Sequence, residues 1–288
     1  MKCWLVVNGF LNSKKFEEIY GFLCRSGKKL GIDVEVKTGA DIFCGVNEGF
    51  SAFSLPDFVL FWDKDAYTAK RLEEAGLRLF NSAESVELCD NKCLTAMALR
   101  GKVKTPETFI APKTFEGVGF SDLTFLDKAA EKLGYPMVVK EAYGSFGKQV
   151  YLVRTRAEAE TLVKSFGAKD FLMQKFVESS CGRDVRINVV GEKVVSAMYR
   201  HNENDFRSNV TNGGKAENYL PTEEQKAAAV AAAKALGLDF CGVDVLFGEG
   251  GEPVIAEVNS NPHFKSTFDC TGIDMSEQIL SYVKEQLK

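Results

Sequence analysis

The residues with the clearest capacity for chemistry lie near the end of the chain. Asp244 interrupts an apolar strand, 242–247, and Glu257 and Asn259 stand two apart on the next one, 254–259. Alternation puts Glu257 and Asn259 on one face. The link between the strands, 248–252, is short and glycine-rich, so the two should be antiparallel neighbours. That pairing predicts two carboxylates and an amide oxygen side by side, a set of hard oxygen donors suited to magnesium alongside nucleotide phosphates. Carboxylates between apolar strands without a cation would carry a heavy desolvation cost.

Three further constellations precede this one. In 138–150 an apolar strand delivers Lys140, a turn containing Gly144, Ser145, Phe146 and Gly147 follows, and a second strand returns. Glycines allow main-chain amides to approach phosphate oxygens, with Lys140 supplying positive charge. The loop matches neither the Walker pattern nor GxGxxG, and an ordinary hairpin turn explains it equally well. In 171–178 an apolar strand runs into Gln174, Lys175, Phe176, Val177 and Glu178. This segment can offer backbone groups to an adenine edge, with Glu178 near ribose hydroxyls; a plain strand ending at the surface is the alternative. In 182–191, Asp184, Arg186 and Asn188 share one strand face and Val185, Ile187 and Val189 the other. Arg186, with Arg207 downstream, can grip phosphate or carboxylate bidentately. A purely structural Asp184–Arg186 ion pair is the competing reading.

The elements that must position these groups follow from periodicity. Strands at Lys2–Val7, 32–36, Phe58–Trp62 and 77–80 alternate with helical spacing over 16–30 and 64–75, which predicts an open α/β unit with a mainly parallel sheet. Phe58–Trp62 is apolar throughout, as in a strand buried on both faces. Ser82 can cap the next helix, and 105–109 reads as an extended turn. Residues 121–178 read helix, strand, glycine-rich turn, strand, helix, strand. Residues 179–288 read two strands joined near Gly191, a polar loop at 202–219, an alanine-rich helix at 222–236, two strands, a loop and a final helix at 274–287. The implied division is 1–85, 86–178 and 179–288.

Composition narrows the function classes. With 288 residues, a net charge of −4, 45% hydrophobic and 26% charged residues, the chain is an ordinary globular one with no basic stripe for nucleic acid. No apolar run approaches the ~20 residues that span a bilayer, and the first strand is too short for a signal-peptide core. The eight cysteines form no CxxC pair or zinc spacing; Cys89 and Cys93, four apart, read with the rest as small buried hydrophobes in a reducing cytoplasm. Only His201 and His263 are present, so no Ser-His-Asp or Cys-His set is evident; His201 is either a residue of the acceptor pocket or a plain surface side chain.

In their order, Asn91-Lys92, Val139-Lys140, 144–147, 174–178, 183–186, Phe206-Arg207-Ser208-Asn209 with Gly213-Gly214, Asp244 and 257–259 resemble the ATP-grasp superfamily. The Phe-Arg-x-Asn…Gly-Gly segment is most similar to RimK-type and LysX-type ligases, and the resemblance spans roughly 85–265. It implies an ATP-grasp fold: a pre-ATP-grasp α/β domain (1–85), a central subdomain with a glycine-rich lid loop (86–178) and a C-terminal subdomain with the magnesium site (179–288). It implies that Lys92 and Lys140 contact ATP phosphates under the loop and that 174–178 is the adenine and ribose hinge, with Asp184 among the nucleotide-binding residues. Asp244, Glu257 and Asn259 would hold two Mg2+ ions, with Mn2+ as a substitute. Arg186, Arg207 and Asn209 would sit at the acyl-phosphate end. The implied activity is ADP-forming amide ligation of a small-molecule, amino-acid or peptide substrate, with no nucleic acid or membrane partner and a dimer or tetramer as the admissible assembly. Phosphoryl transfer to a hydroxyl, as in kinase-like relatives, and non-catalytic nucleotide binding are the alternatives. The sequence departs from the pattern at Asn212, where an arginine is usual, and at Lys175, where an acid is usual; 260–266 follows only the general plan and is expected to shape the acceptor pocket.

Overall fold

The computed structural model describes residues 1–11 and 13–288, with Asn212 described in its backbone only. The departure noted at the Asn212 side chain therefore lies outside the described residues.

The first sheet contains β1 (Lys2–Val7), β2 (Asp33–Thr38), β3 (Phe58–Trp62) and β4 (Leu79–Phe80), all parallel, in the order β2-β1-β3-β4. Helix α1 (Lys14–Leu30) lies on one face; α2 (Ala66–Glu74) and α3 (Ala83–Asp90) lie on the other. The continuous apolar runs explain why both faces are covered. Leu5, Leu60 and Trp62 enter the core beneath α1, whereas Trp4, Val6, Val59 and Phe61 enter the core beneath α2 and α3. Alternation therefore feeds two cores from each strand. Ser82 caps α3 as expected, accepting from Ser85 N.

The helix beginning after Ser82 is in fact two. Asn91 ends α3 and caps α4 (Lys92–Leu99), its side chain accepting from Cys93 N and Leu94 N. The second sheet contains β5 (Thr108–Ile110), β6 (Met137–Glu141), β7 (Val150–Val153) and β8 (Phe171–Lys175), antiparallel in the order β5-β8-β6-β7, with α5 (Thr124–Leu133) and α6 (Arg156–Ser165) on one face. The segment expected as an extended turn at 105–109 thus runs into a short edge strand paired with β8.

The third sheet contains β9 (Arg183–Val190), β10 (Lys193–His201), β11 (Lys215–Asn218), β12 (Phe240–Phe247) and β13 (Pro253–Asn259), antiparallel in the order β11-β10-β9-β12-β13. Helix α7 (Glu223–Ala235), closed by a Thr222–Gln225 capping box, covers its apolar face. The polar loop at 202–219 is corrected by β11, an edge strand without an apolar pattern. Two helices follow β13, α8 (Lys265–Thr271) and α9 (Met275–Gln286).

Although α9 follows the third sheet in the chain, it packs on α1, and Ile279, Leu280 and Val283 share one core with Ile19 and Leu23. Asn81, fully buried after β4, fastens the first and third sheets together: its amide donates to Phe240 O (3.0 Å) and Ser260 O (2.7 Å) and accepts from Asp239 N (2.7 Å) and Phe240 N (3.2 Å). Among the described residues, no helix is long and apolar enough to cross a membrane. The eight cysteines are all free; Cys3, Cys93 and Cys241 are buried, but Cys181 is exposed, against the reading of the set as buried hydrophobes.

Candidate active site

The second and third sheets face each other across a cleft. Lys140 and Gln174 lie on the faces of β6 and β8 turned away from α5 and α6. Burial lowers the Lys140 ammonium, Glu257 pulls it back up and Lys92 pushes it down again, leaving it at about 8. Lys140 Nζ donates to Ala256 O at 3.4 Å. Lys92 is held close by: its backbone N–H donates to Ala142 O (2.8 Å) and its Nζ to Gly144 O (3.1 Å), with Glu257 Oε1 at 3.8 Å. Lys92 and Lys140 therefore flank Glu257 without closing on it.

Gln174 is buried and donates to Thr108 Oγ1 at 2.9 Å. Lys175, Phe176 and Val177 form the cleft wall beyond it, and the exposed Glu178 opens a short 3-10 turn, Glu178–Ser180, behind them. The β6–β7 loop folds over the cleft. Gly144 and Gly147 have φ of 154° and 71°, and Phe146 takes φ 59° without being glycine. Such backbone is uncommon for a bulky residue and persists where surroundings enforce it. Those surroundings are visible: Lys15 Nζ lies 3.8 Å from the centre of the Phe146 ring, Phe16 meets the ring edge-on, and Arg207 Nη1 donates to Gly147 O at 2.6 Å. Ser145 N–H is satisfied by Gln149 Oε1 at 3.2 Å. With the loop down, the cavity between the second and third sheets measures about 110 Å³.

The polar face of β9 does not form the Asp184–Arg186 pair that the sequence offered as an alternative. Its charges pair across strands. Arg200 of β10 stands opposite Asp184 and binds it through both oxygens (Nε to Oδ1 2.7 Å), while Arg186 binds both oxygens of Asp244 on β12 (Nη2 to Oδ2 2.8 Å). Arg200 Nη2 also reaches Asp244 Oδ1 at 2.8 Å, joining the pairs into one buried network. Burial pushes the Asp244 carboxyl up, but Arg186 and Arg200 outweigh it and hold it at about 2. Gly242 makes room, since a Cβ there would lie 3.0 Å from Arg186 Cδ.

Asp244 stands opposite Glu257, and Gly242 opposite Asn259, as the hairpin link required. A larger cavity of about 540 Å³ opens on the far side of this junction, towards the first sheet, and takes in Lys15, Trp62, Arg186, Asn261 and His263. Gly147, Asn209, Asp244 and Glu257 border both cavities. Arg207, expected beside Arg186, borders only the smaller cavity and is tied to Asp205 (Nη2 to Oδ2 2.7 Å) as well as to the loop. His263 is neutral, driven down to about 4 by burial, and its Nε2 donates to Lys15 O at 3.0 Å. His201 caps β10 against Tyr199, outside both cavities. Arg200, Lys15 and Lys148 are site residues that the sequence reading passed over.

Residues 89–283 match the family described as RimK-like ATP-grasp domain. An uncharacterised protein of Mycoplasma genitalium, MG012, is 31% identical over 246 residues, 83% of this chain and 84% of its own. Human N-acetylaspartylglutamate synthase A is 33% identical over 227 residues, 78% of this chain and 57% of its own. The crystal structure of the D-cycloserine synthetase DcsG superposes with a TM-score of 0.77 over 100% of both chains, at 19% identity, and so speaks to the fold. The chain belongs to the RimK-like ATP-grasp family. By that family it is an ATP-dependent ligase that joins a carboxylate to an amine, and ATP-grasp ligases use ATP and Mg2+.

The junction fits such a cation by its donor set. Among the described residues no three His, Cys, Asp or Glu side chains gather into a metal site on their own. Magnesium is ordinarily held by one or two carboxylates, with phosphate oxygens and water completing the shell. Among the described residues Glu257 carries no arginine, and Asn259 would offer its amide oxygen, its buried Nδ2 being a donor without a partner that cannot itself ligate the ion. Asp244 would be shared with the two arginines that already bind it.

Proposed function

We propose that the chain phosphorylates a substrate carboxylate with the γ-phosphoryl group of ATP, giving an acyl phosphate and ADP, and that an amine then attacks the acyl carbon and releases phosphate. The observation that carries this reading is the junction itself. The nucleotide-side cavity and the larger cavity meet at Asp244, Glu257 and Asn209, so phosphoryl donor and acceptor would share one wall. The glycine loop would lift to admit nucleotide, because about 110 Å³ is below the ~300–1,000 Å³ of ordinary small-molecule sites.

In this reading Lys92 and Lys140 neutralise phosphate charge, Gly144, Ser145, Phe146 and Gly147 cover it, and 174–178 holds the base and ribose. Arg186 and Asn209 face the acyl phosphate; Arg207 acts through the loop, and Asp184 through Arg200. Asp244, Glu257 and Asn259 would hold two Mg2+ ions, or Mn2+ in their place, and the bound metal would offset the charge gathered on the phosphates. Positioning and electrostatic stabilisation dominate such a transfer, in keeping with a site built of lysines, arginines and carboxylates. The three-part division at about 85 and 178 is our reading of the three sheets.

The test is ADP release from Mg-ATP with pooled amino acids and peptides, followed by mass spectrometry of the product. We expect an amide product, and substrate-dependent ADP release abolished in Glu257→Ala with its circular dichroism unchanged. A stable phosphorylated product with no amide would replace ligation with kinase chemistry.

A further inference from the structure

The larger cavity holds a carboxylate that neither the metal nor the nucleotide explains. Asn8 follows β1 and Asp63 follows β3, neighbouring parallel strands, so both stand at the carboxyl edge of the first sheet, where open α/β sheets bind ligands. Asn8 Nδ2 donates to Asp63 Oδ1 at 3.2 Å and Lys64 N–H donates to the same oxygen at 2.7 Å. Among the described residues, Asp63 has no ion pair and its Oδ2 has no donor. The neighbouring ammonium of Lys64 is committed to Asp90 at 2.7 Å. The other carboxylates on this cavity have cations: Asp244 has two arginines, and Glu257 has Lys92. Asp63 is thus a half-buried negative charge, fixed in place by neutral donors and left uncompensated on a cavity wall.

We infer that Asp63, oriented by Asn8, recognises a protonated amine on the substrate that enters this cavity. The surroundings agree. Burial raises the Asp63 carboxyl and outweighs the Lys64 N–H and Asn8 bonds that lower it, with Asp65 and Asp90 adding to the rise, so an arriving cation relieves an existing penalty. Tyr20 and Trp62 line the same region and offer the aromatic surface that ammonium groups favour. On the loop side, Lys15 and Lys148 enter no ion pair among the described residues, and burial followed by their mutual repulsion lowers the Lys15 ammonium. The cavity therefore presents a negative charge at the strand edge and positive charges at the loop, a polarity matching a compound with an ammonium at one end and a carboxylate at the other. An amine held as its cation is not nucleophilic, so the nitrogen that Asp63 reads is a recognition handle and not the one acylated. This inference rests on the ligase reading for its view of the cavity as the acceptor side.

The test is calorimetric titration of the full chain, without ATP, with the twenty common amino acids, their N-acetyl forms and their N,N-dimethyl forms. Acetylation removes the charge; dimethylation adds comparable bulk and keeps it. We expect at least one amino acid to bind about tenfold or more tightly than its N-acetyl form and close to its dimethyl form, as befits a hydrogen bond to a charged group. In Asp63→Asn that preference should vanish while the N-acetyl form binds as before. Indifference of the wild type to acetylation, or an undiminished preference in Asp63→Asn, overturns the proposal. If Asp63→Asn fails to fold by circular dichroism, Asp63→Glu replaces it; the preference should then shift by at least about threefold, and an unchanged preference overturns the proposal. Because no nucleotide is present, failure here leaves amide formation untouched, whereas failure of the ligase reading appears only in the product analysis.

Discussion

Two clusters of charge meet at the same cleft and are built on opposite plans. In the first, Asp184, Arg200, Asp244 and Arg186 lie on three adjacent strands and bind fork to fork, leaving no carboxylate oxygen without a guanidinium. In the second, Lys92 and Lys140 approach Glu257 and the Ala256 carbonyl at 3.8 and 3.4 Å and leave most of their hydrogen-bonding capacity unused. Arginine presents a planar fork that saturates a carboxylate; lysine presents a compact charge that can be turned towards something else. The arginine cluster is thus scaffold first, even where Arg186 and Asp244 are also proposed to face substrate and metal, and in that proposal the lysine cluster holds charge in reserve for phosphate.

This contrast can be broken most decisively at Asp244. Asp244→Asn strands the buried guanidinium of Arg186 and takes from Arg200 the second of its two carboxylate partners, and it should lower stability by about 3–5 kcal/mol in denaturant unfolding. A loss under about 1 kcal/mol would show that the network is not scaffold. Lys140→Met should act in the other direction, abolishing ADP release while raising ligand-free stability by about 2 kcal/mol at pH 7, since it removes a buried charge. The sign of its pH dependence follows from the lysine itself. Lys140 titrates near 8 when folded, against 10.5 when exposed, so the unfolded chain binds more protons between those values and the wild type gains stability as pH rises through them. The advantage of Lys140→Met should therefore shrink between pH 8 and 10, measured by denaturant midpoints; a constant advantage would mean that Lys140 is not buried as a cation. Arg207→Lys tests whether fork geometry also matters on the loop. We expect the KM for ATP to rise about tenfold with kcat nearly kept, from the lost bond to Gly147 O. The smallest effect should come from Lys92→Met on stability, within about 1 kcal/mol, because its contact with Glu257 is long.

Much of this site was legible in the sequence because strand periodicity is unambiguous where apolar residues alternate with charges. Asp244 facing Glu257 followed from a short link between two strands, and the two-sided burial of Phe58–Trp62 from its composition. Arg200 was not legible, for a geometric reason. β9 and β10 pair with an irregularity between Val194 and Ser196; in the unshifted register that begins at Lys193 opposite Val190, Asp184 would face Tyr199. One inserted residue exchanges the partner of a buried carboxylate, and no local pattern announces it. β11 was missed because an edge strand reading Lys-Ala-Glu-Asn has no buried face to reveal it. The break at Asn91 was missed because Cys93, Leu94 and Ala96 continue the apolar spacing of α3 across a residue whose side chain starts a new helix. Asp63 follows β3 and Lys15 lies in α1, and it is the packing of the first sheet against the third, with Asn81 bonded across, that brings them to the cavity.

The seat of α9 on α1 bears on how the molecule is made. The first sheet is synthesised before the other two, yet one of its two cores is completed by Ile279, Leu280 and Val283. Until those residues emerge, Leu5, Leu60, Ile19 and Leu23 belong to an unfinished apolar surface. Contacts spanning almost the whole sequence close late, and such surfaces expose a nascent chain to aggregation. The unit built on the first sheet is therefore translated ahead of the other two sheets and sealed after them.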